Sequence, residues 1–177
     1  MLKDHGLSRP ALPAKALFLD RDGVINIDYG YVYKIEDCRF VPGIFDLCAR
    51  ARELGYKIIV VTNQSGVARG YFGEDDFLKF MDYVRGVFQA RGCPIDDVFY
   101  CPYHKDGLPP WNIDSPDRKP APGMILKAAR KHNIDLRASA LIGDSESDVQ
   151  AGKSAGVGRN ILLSGPITTE FIKNALG

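Results

Sequence analysis

The sequence predicts an α/β fold, a three-layer α/β/α sandwich with a mainly parallel central sheet and no separate cap domain. Three observations predict it. Apolar strand-like runs alternate with amphipathic helix-like runs along most of the chain, which implies right-handed crossovers between parallel strands. The run KIIVVTN (57–63) shows almost no polar alternation, as is typical of a strand covered on both faces. The length of 177 residues, with 45% hydrophobic residues, suits one domain with a substantial core.

Each element is predicted from its local pattern. The first helix is bounded by Pro42 and Gly55, and its apolar residues recur on one face. EDDFLKFMDYVRGVFQARG (74–92) is amphipathic at helical spacing. Strands are predicted over 15–20, 57–63, 96–101, 138–144 and 159–163, and helices over 42–55, 74–92, 122–134 and 147–156.

Two stretches, 23–41 and 101–121, interrupt this alternation. Neither is long enough for a domain of its own, so both are predicted to fold over the edge of the sheet as flaps. Residues 1–14 lack the continuous apolar run of a secretory signal and are predicted to form a flexible arm. Residues 15–177 are predicted to form the single domain.

Composition excludes several function classes. The net charge of +1 gives no reason to expect nucleic-acid binding or attraction to a membrane surface. No apolar run approaches the roughly 20 residues that a membrane-spanning helix needs. The four cysteines are scattered without a CxxC pair, which favours reduced thiols in the cytoplasm. We therefore expect a cytoplasmic protein. We also expect a monomer that acts on a small molecule.

Polar side chains collect where the predicted strands end. Asp20 and Asp22 follow the first strand, Thr62 to Ser65 end the second, and Asp144 ends the fourth. Ligands of open α/β sheets bind beyond the carboxyl ends of the strands. Lys119, which precedes a predicted helix, could reach the same edge. Carboxylate oxygens suit Mg²⁺, whereas a lysine and a hydroxyl suit phosphoryl oxygens. The pattern therefore favours a phosphate site with a divalent cation.

Four segments, DRDGV, VVTNQSG, RKPAPG and GDSESD, resemble the four ordered motifs of the haloacid dehalogenase superfamily of phosphohydrolases over about residues 15–163. Within that superfamily, NIDYGYVYKIEDCRFVPG and TNQSGVARGYF are similar to the heptose bisphosphate phosphatases. The resemblance implies a Rossmann-like fold. It also implies hydrolysis of the C7 phosphate of D-glycero-D-manno-heptose 1,7-bisphosphate, in the supply of activated heptose for surface glycans.

The resemblance also implies catalytic roles. Asp20 would be the nucleophile that forms an aspartyl-phosphate, and Asp22 would protonate the leaving oxygen and then activate water. Mg²⁺ would bind Asp20, the main-chain carbonyl of Asp22 and Asp144. Thr62 and the backbone amide of Asn63 would hold phosphoryl oxygens, and Lys119 would neutralise charge as it develops in the transition state. Asp148 would either hold Lys119 or bind through the water shell of the metal, and the sequence leaves both open.

The substrate-contacting residues come from three loops. They follow from the same resemblance, except that Arg69 is added as a cationic candidate within its loop. The predicted set is Asp28, Gly30, Tyr31, Asn63, Gln64, Ser65, Arg69 and Arg118.

No structural zinc is expected in the loop before the lysine motif. Many relatives of this family have a C-x-H and a C-x-C pattern there. This chain keeps Cys101 and has His104 three positions on, but Ser115 and Asp117 stand where the second cysteine pair would be. A tetrahedral site that lacks two soft ligands is unsuited to zinc. The loop is instead expected to be ordered by its prolines, by Trp111 packing and by an ion pair of Arg118 with Asp114 or Asp117.

Two alternatives stay open at this point. One is a phosphatase of the same superfamily that acts on histidinol phosphate or another sugar phosphate. The other is a receiver-like phospho-acceptor domain, which also gathers acidic groups, a threonine and a lysine at strand ends. Receiver domains carry their acceptor aspartate after a middle strand rather than in an N-terminal DxD.

Overall fold

Five parallel strands form one sheet in the order β3-β2-β1-β4-β5, so the first strand lies at its centre. The structure is a computed structural model and describes residues 12–177. The strands are β1 (Lys15–Leu19), β2 (Tyr56–Asn63), β3 (Asp97–Cys101), β4 (Ala140–Gly143) and β5 (Arg159–Leu162). The helices are α1 (Ile44–Glu53), α2 (Ser65–Ala68), α3 (Glu74–Ala90), α4 (Gly123–His132), α5 (Glu146–Ala155) and α6 (Thr169–Leu176).

The helices cover both faces of the sheet, as the unbroken apolar strands predict. Successive strand residues point to opposite faces, so Leu17 packs into one core and Phe18 into the other. Helices α1, α3 and α6 pack on the face of Leu17, and α4 and α5 pack on the face of Phe18. The predicted three-layer sandwich is confirmed, and no separate cap domain occurs within residues 12–177.

All predicted strands and helices are present, with shifts at their ends. Helix α1 begins at Ile44 rather than Pro42 because Gly43 has φ +87°, a left-handed conformation that cannot continue a right-handed helix. Strand β4 begins at Ala140 rather than 138. Just before it, the Ser139 hydroxyl accepts a hydrogen bond from the Ala16 amide at 2.9 Å.

Helix α6 was not predicted from the sequence. The hydroxyl of Thr168 accepts a hydrogen bond from the Phe171 amide at 3.1 Å and caps its first turn. Ile172 and Leu176 are buried on the face that α6 shares with α1. The capping threonine and the helical spacing of these apolar residues were the available signals.

The predicted arm over 1–14 falls mostly outside the described residues. Its last residue, Ala14, forms a parallel bridge with Ile134, and the Asp135 amide donates to the Ala14 carbonyl at 2.8 Å. Among the helices within residues 12–177, none is both long and apolar enough to cross a membrane.

A polar contact ties β3 to α4. Asp97 Oδ2 lies 2.7 Å from Lys131 Nζ and 2.7 Å from His132 Nε2. Partial burial raises the pKa of Asp97. However, hydrogen bonds from Lys131, His132 and the Val98 amide outweigh the burial, so the pKa lies below its ordinary value.

We expect Asp97→Asn to lower the free energy of unfolding by about 1 kcal/mol at neutral pH. The native carboxyl binds a proton less readily than the unfolded one. Its stabilisation is therefore complete above the ordinary pKa and is lost as the pH falls through the lower native value. Urea denaturation of both proteins from neutral pH to about pH 3 checks this. Asp82→Asn, an exposed change on α3, is the control. If the difference in free energy of unfolding between the wild type and Asp97→Asn stayed constant over this pH range, the lowered pKa of Asp97 would be contradicted.

Candidate active site

The carboxyl ends of β1, β2 and β4 meet at one edge of the sheet and carry the predicted polar residues. Leu19 pairs with Val60 on one side and with Ile142 on the other, so the residues that follow these strands are neighbours in space. Asp20 comes directly after β1, and its amide donates to the Ile142 carbonyl at 3.1 Å. Asp144 comes directly after β4.

Three carboxylates and a lysine converge here. Asp20, Asp144 and Asp148 each place an oxygen within 4.8 Å of the other two. Lys119 Nζ lies 2.9 Å from Asp20 Oδ1 and 2.5 Å from Asp148 Oδ1, and it donates to the Val61 carbonyl at 2.8 Å. The lysine side chain is only 2% exposed, so these partners fix its position. Of the two roles left open for Asp148, the geometry favours that of holding Lys119.

The electrostatics of this cluster suit an incoming cation. Burial raises the pKa of Asp20 to about 7; Lys119 opposes the rise, whereas Asp148 and Asp22 add to it. Burial, followed by the charge of Asp148, also raises the pKa of Asp144. Burial alone would lower the pKa of Lys119, but Asp20 and Asp148 raise it above its ordinary value. One cation is thus shared among several acidic groups, and a second cation would relieve their repulsion.

Asp22 is held by a set of nitrogen donors. Arg21 contributes Nη2 at 2.6 Å and Nε at 3.2 Å to Asp22 Oδ2, and Gln64 Nε2 lies 3.1 Å from the same oxygen. Asn26 Nδ2 donates to Oδ1 at 3.1 Å. The Asp22 side chain is 22% exposed and lines the cavity, so these donors fix the orientation of its carboxylate while part of it stays accessible.

Arg21 and Asn26 were not predicted from the sequence as site residues, and both are fully buried. The Arg21 guanidinium lies 4.8 Å from the ring centroid of Phe80 on α3, a cation–π contact. A usable signal did exist. A residue between two carboxylates that face the cavity points to the opposite side, which is the core under α3.

The TNQS segment mainly organises the site. Thr62 is fully buried, and its hydroxyl accepts a hydrogen bond from Gln64 Nε2 at 2.9 Å. The Asn63 side chain donates to the Lys119 carbonyl and accepts from the Lys119 amide, both at 3.0 Å. Gln64, predicted to contact substrate, is 3% exposed and joins Asp22 to Thr62.

A cavity of about 300 Å³ opens above the cluster. Of the four predicted catalytic residues, Asp20 and Asp22 line it, whereas Thr62 and Lys119 do not. Lining it are Asp20, Asp22, Asp28, Gly30, Tyr31, Asn63, Gln64, Ser65, Gly66 and Asp144. The segment 23–41 turns at Asp28, whose Oδ1 accepts a hydrogen bond from the Gly30 amide at 2.7 Å.

Arg69 and Arg118 do not line this cavity. Arg118 borders a neighbouring cavity of about 380 Å³, together with Lys119 and His104. Arg69 Nη2 lies 3.4 Å from His104 Nε2. Burial lowers the pKa of Arg118, and the nearby charge of Arg69 lowers it further, whereas Cys101 and Tyr31 act in the opposite direction. Their substrate contacts stay predictions, as does Thr62's contact with a phosphoryl oxygen.

The loop over 101–121 is ordered in a way only partly predicted. The Trp111 and Tyr103 rings pack with centroids 5.6 Å apart, in keeping with the expected Trp111 packing. The expected ion pair of Arg118 with Asp114 or Asp117 is wrong. Within residues 12–177, Asp117 pairs with Lys127 on α4, and Arg118 Nη1 donates to the Tyr103 carbonyl at 3.3 Å. The lysine reaches Asp117 from the adjacent helix, a contact that loop sequence alone does not reveal. That the loop holds no zinc stays a prediction.

Gly23 lets the chain turn away immediately after the two aspartates. It has φ +80°, a conformation that favours glycine. A Cβ atom at this position would lie 2.0 Å from Asp144 Oδ2. The glycine is therefore required both by the turn and by the close approach of the Asp144 carboxylate.

The sequence of this chain is similar to those of several known proteins. Residues 117–173 match the family profile described as HAD-hydrolase-like. The chain is 54% identical over 150 residues to the D-glycero-alpha-D-manno-heptose-1,7-bisphosphate 7-phosphatase of Burkholderia mallei, covering 84% of this chain and 79% of that protein. It is 42% identical over 163 residues to the D-glycero-beta-D-manno-heptose-1,7-bisphosphate 7-phosphatase of Pasteurella multocida, covering 91% and 89%.

A solved structure gives the same fold. The crystal structure of D,D-heptose 1,7-bisphosphate phosphatase from B. bronchiseptica, complexed with magnesium and phosphate, superimposes with a TM-score of 0.76 at 30% sequence identity. The alignment covers 90% of this chain and 86% of that structure.

Proposed function

The chain belongs to the heptose 1,7-bisphosphate 7-phosphatases, a family of haloacid dehalogenase-like hydrolases, and from that membership we propose that it removes the C7 phosphate of D-glycero-D-manno-heptose 1,7-bisphosphate. It is a phosphatase, and its family acts in heptose biosynthesis. The receiver-like alternative is set aside because the relatives are phosphatases. The observation that carries the proposal is the meeting of Asp20, Asp22 and Asp144 on one cavity, with Lys119 Nζ 2.9 Å from Asp20 Oδ1.

Mg²⁺ is the proposed cofactor, and the donor set fits it. Asp20 and Asp144 offer carboxylate oxygens within 4.8 Å of each other, and the main-chain carbonyl of Asp22 is the third proposed ligand. Oxygen donors of this kind suit a hard cation that keeps several waters. When bound, the ion would offset the repulsion between these carboxylates and an anionic substrate.

The reaction then proceeds through the protein's own groups. An Asp20 oxygen attacks phosphorus and forms an aspartyl-phosphate, while the bond from phosphorus to the sugar oxygen breaks. Asp22 gives its proton to that departing oxygen. It then takes a proton from the water that attacks the phosphoryl group, so phosphate leaves and the Asp20 carboxylate is restored. Lys119 offsets charge on the phosphoryl oxygens during both transfers.

The wider setting belongs to the same proposal. All four cysteines are free and buried, in keeping with a cytoplasmic enzyme that needs no disulfide. A small phosphorylated sugar is the proposed partner. We also propose that the enzyme acts as a monomer, without nucleic acid or membrane.

Phosphate release from the α- and β-anomers of the heptose bisphosphate, measured beside histidinol phosphate with and without Mg²⁺, tests the proposal. We expect Mg²⁺-dependent turnover with a clear preference for one heptose anomer. A preference for histidinol phosphate would overturn the substrate assignment. Full turnover after removal of divalent cations with EDTA would overturn the cofactor assignment.

Gly23→Ala should weaken Mg²⁺ binding by about tenfold or more, because the new methyl group displaces the Asp144 carboxylate. The positive φ should also lower the free energy of unfolding by about 1–2 kcal/mol. Isothermal titration with Mg²⁺ and thermal unfolding check both effects.

Gly86→Ala is the matched control, since a Cβ atom there meets nothing within 4 Å on α3. It should leave Mg²⁺ affinity unchanged. If Gly23→Ala bound Mg²⁺ with wild-type affinity, the assignment of Asp144 as a metal ligand would be contradicted.

A further inference from the structure

A fully buried arginine contacts the proposed proton donor and takes no part in the reaction steps described above. Arg21 is 0% exposed, and its Nη2 and Nε donate to Asp22 Oδ2 at 2.6 Å and 3.2 Å. We propose that Arg21 is a positioning residue, which orients the Asp22 carboxyl so that Oδ1 is the oxygen that carries the proton to the leaving group. The inference rests on the proposed function and assigns one oxygen of Asp22 to the proton transfer.

Stability does not account for the burial of this arginine. Taking a charge out of water is costly, and apolar residues of similar volume are often at least as stabilising as a buried ion pair. The Arg21 guanidinium lies 4.8 Å from the ring centroid of Phe80 and 5.9 Å from that of Phe77. Its Nη1 atom is buried and has no hydrogen-bond partner among the described residues. The side-chain hydrogen bonds of Arg21 are made with Asp22 and Gln64, which points to a role at the Asp22 carboxylate.

The two oxygens of the Asp22 carboxylate are bound unequally. Oδ2 accepts from two nitrogens of Arg21 and from Gln64 Nε2 at 3.1 Å, so three donors share its two lone pairs. Among the described residues, Oδ1 accepts only from Asn26 Nδ2, at 3.1 Å. Oδ1 thus keeps one position for a proton, on a side chain that lines the cavity.

Arg21 also orients the other donor to Oδ2. Gln64 Oε1 lies 3.4 Å from Arg21 Nη2, and Gln64 Nε2 donates to Asp22 Oδ2 and to the Thr62 hydroxyl. The reversed amide would place its oxygen against the Asp22 carboxylate and its NH₂ group against the guanidinium, and both contacts would repel. Arg21 and Asp22 together therefore select one orientation of Gln64.

This arrangement suits a group that must release a proton at a fixed place. A carboxyl with its proton on Oδ1 still accepts hydrogen bonds at Oδ2, so the contacts with Arg21 and Gln64 persist before and after the transfer. The planar guanidinium directs two N–H groups at one oxygen and so limits rotation of the Asp22 carboxyl, a torsion that is otherwise soft. A displacement of about 1 Å in a reacting group can lower the rate by about 10²-fold.

Pre-steady-state kinetics of Arg21→Met tests the proposal. Methionine keeps an apolar chain beside the two phenylalanine rings but has no N–H group to donate. We expect the rate constant of phosphorylation to fall about tenfold or more with D-glycero-D-manno-heptose 1,7-bisphosphate, and less than about threefold with p-nitrophenyl phosphate, whose leaving group needs little protonation. KM for the heptose ester should stay within about twofold of the wild-type value, because Arg21 does not line the cavity.

A double-mutant cycle separates the positioning of Asp22 from a general effect on the fold. In an Asp22→Asn background, Arg21→Met should slow phosphorylation by the heptose ester less than about twofold, since the proton donor is already absent. Arg85→Met, an exposed change of the same type on α3, is the matched control and should keep wild-type rates. Ile172→Ala leaves a cavity where α6 packs on α1, so it should lower the melting temperature and slow neither ester.

Arg21→Lys is a second variant, which keeps the test decisive if thermal unfolding shows that Arg21→Met does not fold. It retains the buried charge, but an ammonium group cannot reproduce the planar pair of N–H groups. We expect phosphorylation to slow by about threefold or more with the heptose ester and to stay unchanged with p-nitrophenyl phosphate. Wild-type rates with both esters would show that charge rather than orientation is important, and would overturn the proposal.

The two proposals fail in different ways. Absence of turnover of the heptose ester by the wild type overturns the proposed substrate, and the variants are then compared on the sugar phosphate that the enzyme does hydrolyse. Equal losses on both esters in Arg21→Met, or no loss on either, overturn the positioning role of Arg21 alone. The same loss in the Asp22→Asn background as in the wild type would also contradict it, since Arg21 would then act independently of Asp22.

Discussion

Asp20→Asn should lower kcat by about 10⁴-fold or more with every phosphate ester, because no other group can accept the phosphoryl moiety from the same position. Asp20 follows the central strand, and its carboxylate is fixed by Lys119 Nζ at 2.9 Å. The amide keeps the size of the side chain but removes its negative charge and its nucleophilic oxygen. Single-turnover phosphate release and trapping of the phosphorylated protein by mass spectrometry measure the loss.

The control for Asp20→Asn is Asp75→Asn, which changes an exposed carboxylate on α3 and should keep wild-type rates. Asp20→Asn should remain folded, since its amide oxygen can still accept the hydrogen bond from Lys119. A phosphorylated form of Asp20→Asn, or turnover within about tenfold of the wild-type rate, would show that Asp20 is not the nucleophile.

Asp22→Asn should lower kcat by about 10²–10⁴-fold with sugar substrates, because it removes the proton donor of the first step. The surroundings can accept the amide. Its oxygen can take the place of Oδ2 beside Arg21, and its nitrogen can face Asn26. Asn26 Oδ1 is buried and has no hydrogen-bond partner among the described residues, so a turned Asn26 amide can accept from that nitrogen, at the loss of the hydrogen bond that Asn26 Nδ2 donates to the Ile27 carbonyl. We therefore attribute the expected loss to chemistry rather than to unfolding.

The leaving group distinguishes the role of Asp22. A nitrophenyl phosphate releases a good leaving group that needs little protonation, so Asp22→Asn should slow its phosphorylation step much less than that of the sugar ester. Burst kinetics on both substrates separate phosphorylation from dephosphorylation. Equal losses in the burst rate on both would argue against Asp22 as the general acid.

Much of the fold was predictable because the signals were local. The unbroken apolar run of β2 predicts a strand covered on both faces. In the structure, Val60 is buried on one face of the sheet and Val61 on the other. Gly55 correctly ends the first helix, where its φ of +80° is the left-handed conformation expected just past a helix C-terminus. Gly43 shows the limit of such signals, since its left-handed backbone delays the start of α1 by two residues relative to Pro42.

The candidate site divides in a similar way. Asp20, Asp144 and Lys119 were found from the sequence because motif order and strand ends bring them to one edge. The structure adds hydrogen bonds that the sequence did not reveal. Gln64 lines the cavity and its side chain also bonds to Asp22 and Thr62, whereas Arg69 lies against His104; the predicted substrate contacts of both stay predictions.

The sequence by itself determined the order of strands and helices and the four motifs, because periodicity and spacing along the chain encode these directly. The roles of the reacting groups follow from the resemblance that the motifs carry, and they stay predictions. Only the tertiary structure decided which polar groups hold one another. Arg21 is charged and looks like a surface residue in the sequence, yet it is fully buried beneath Asp22 and against Phe80. Tyr31 and Tyr71 are 40 positions apart and meet only because the flap folds over the loop before α3. Contacts of this kind depend on distances across the fold, and a linear pattern of residue types carries no record of those distances.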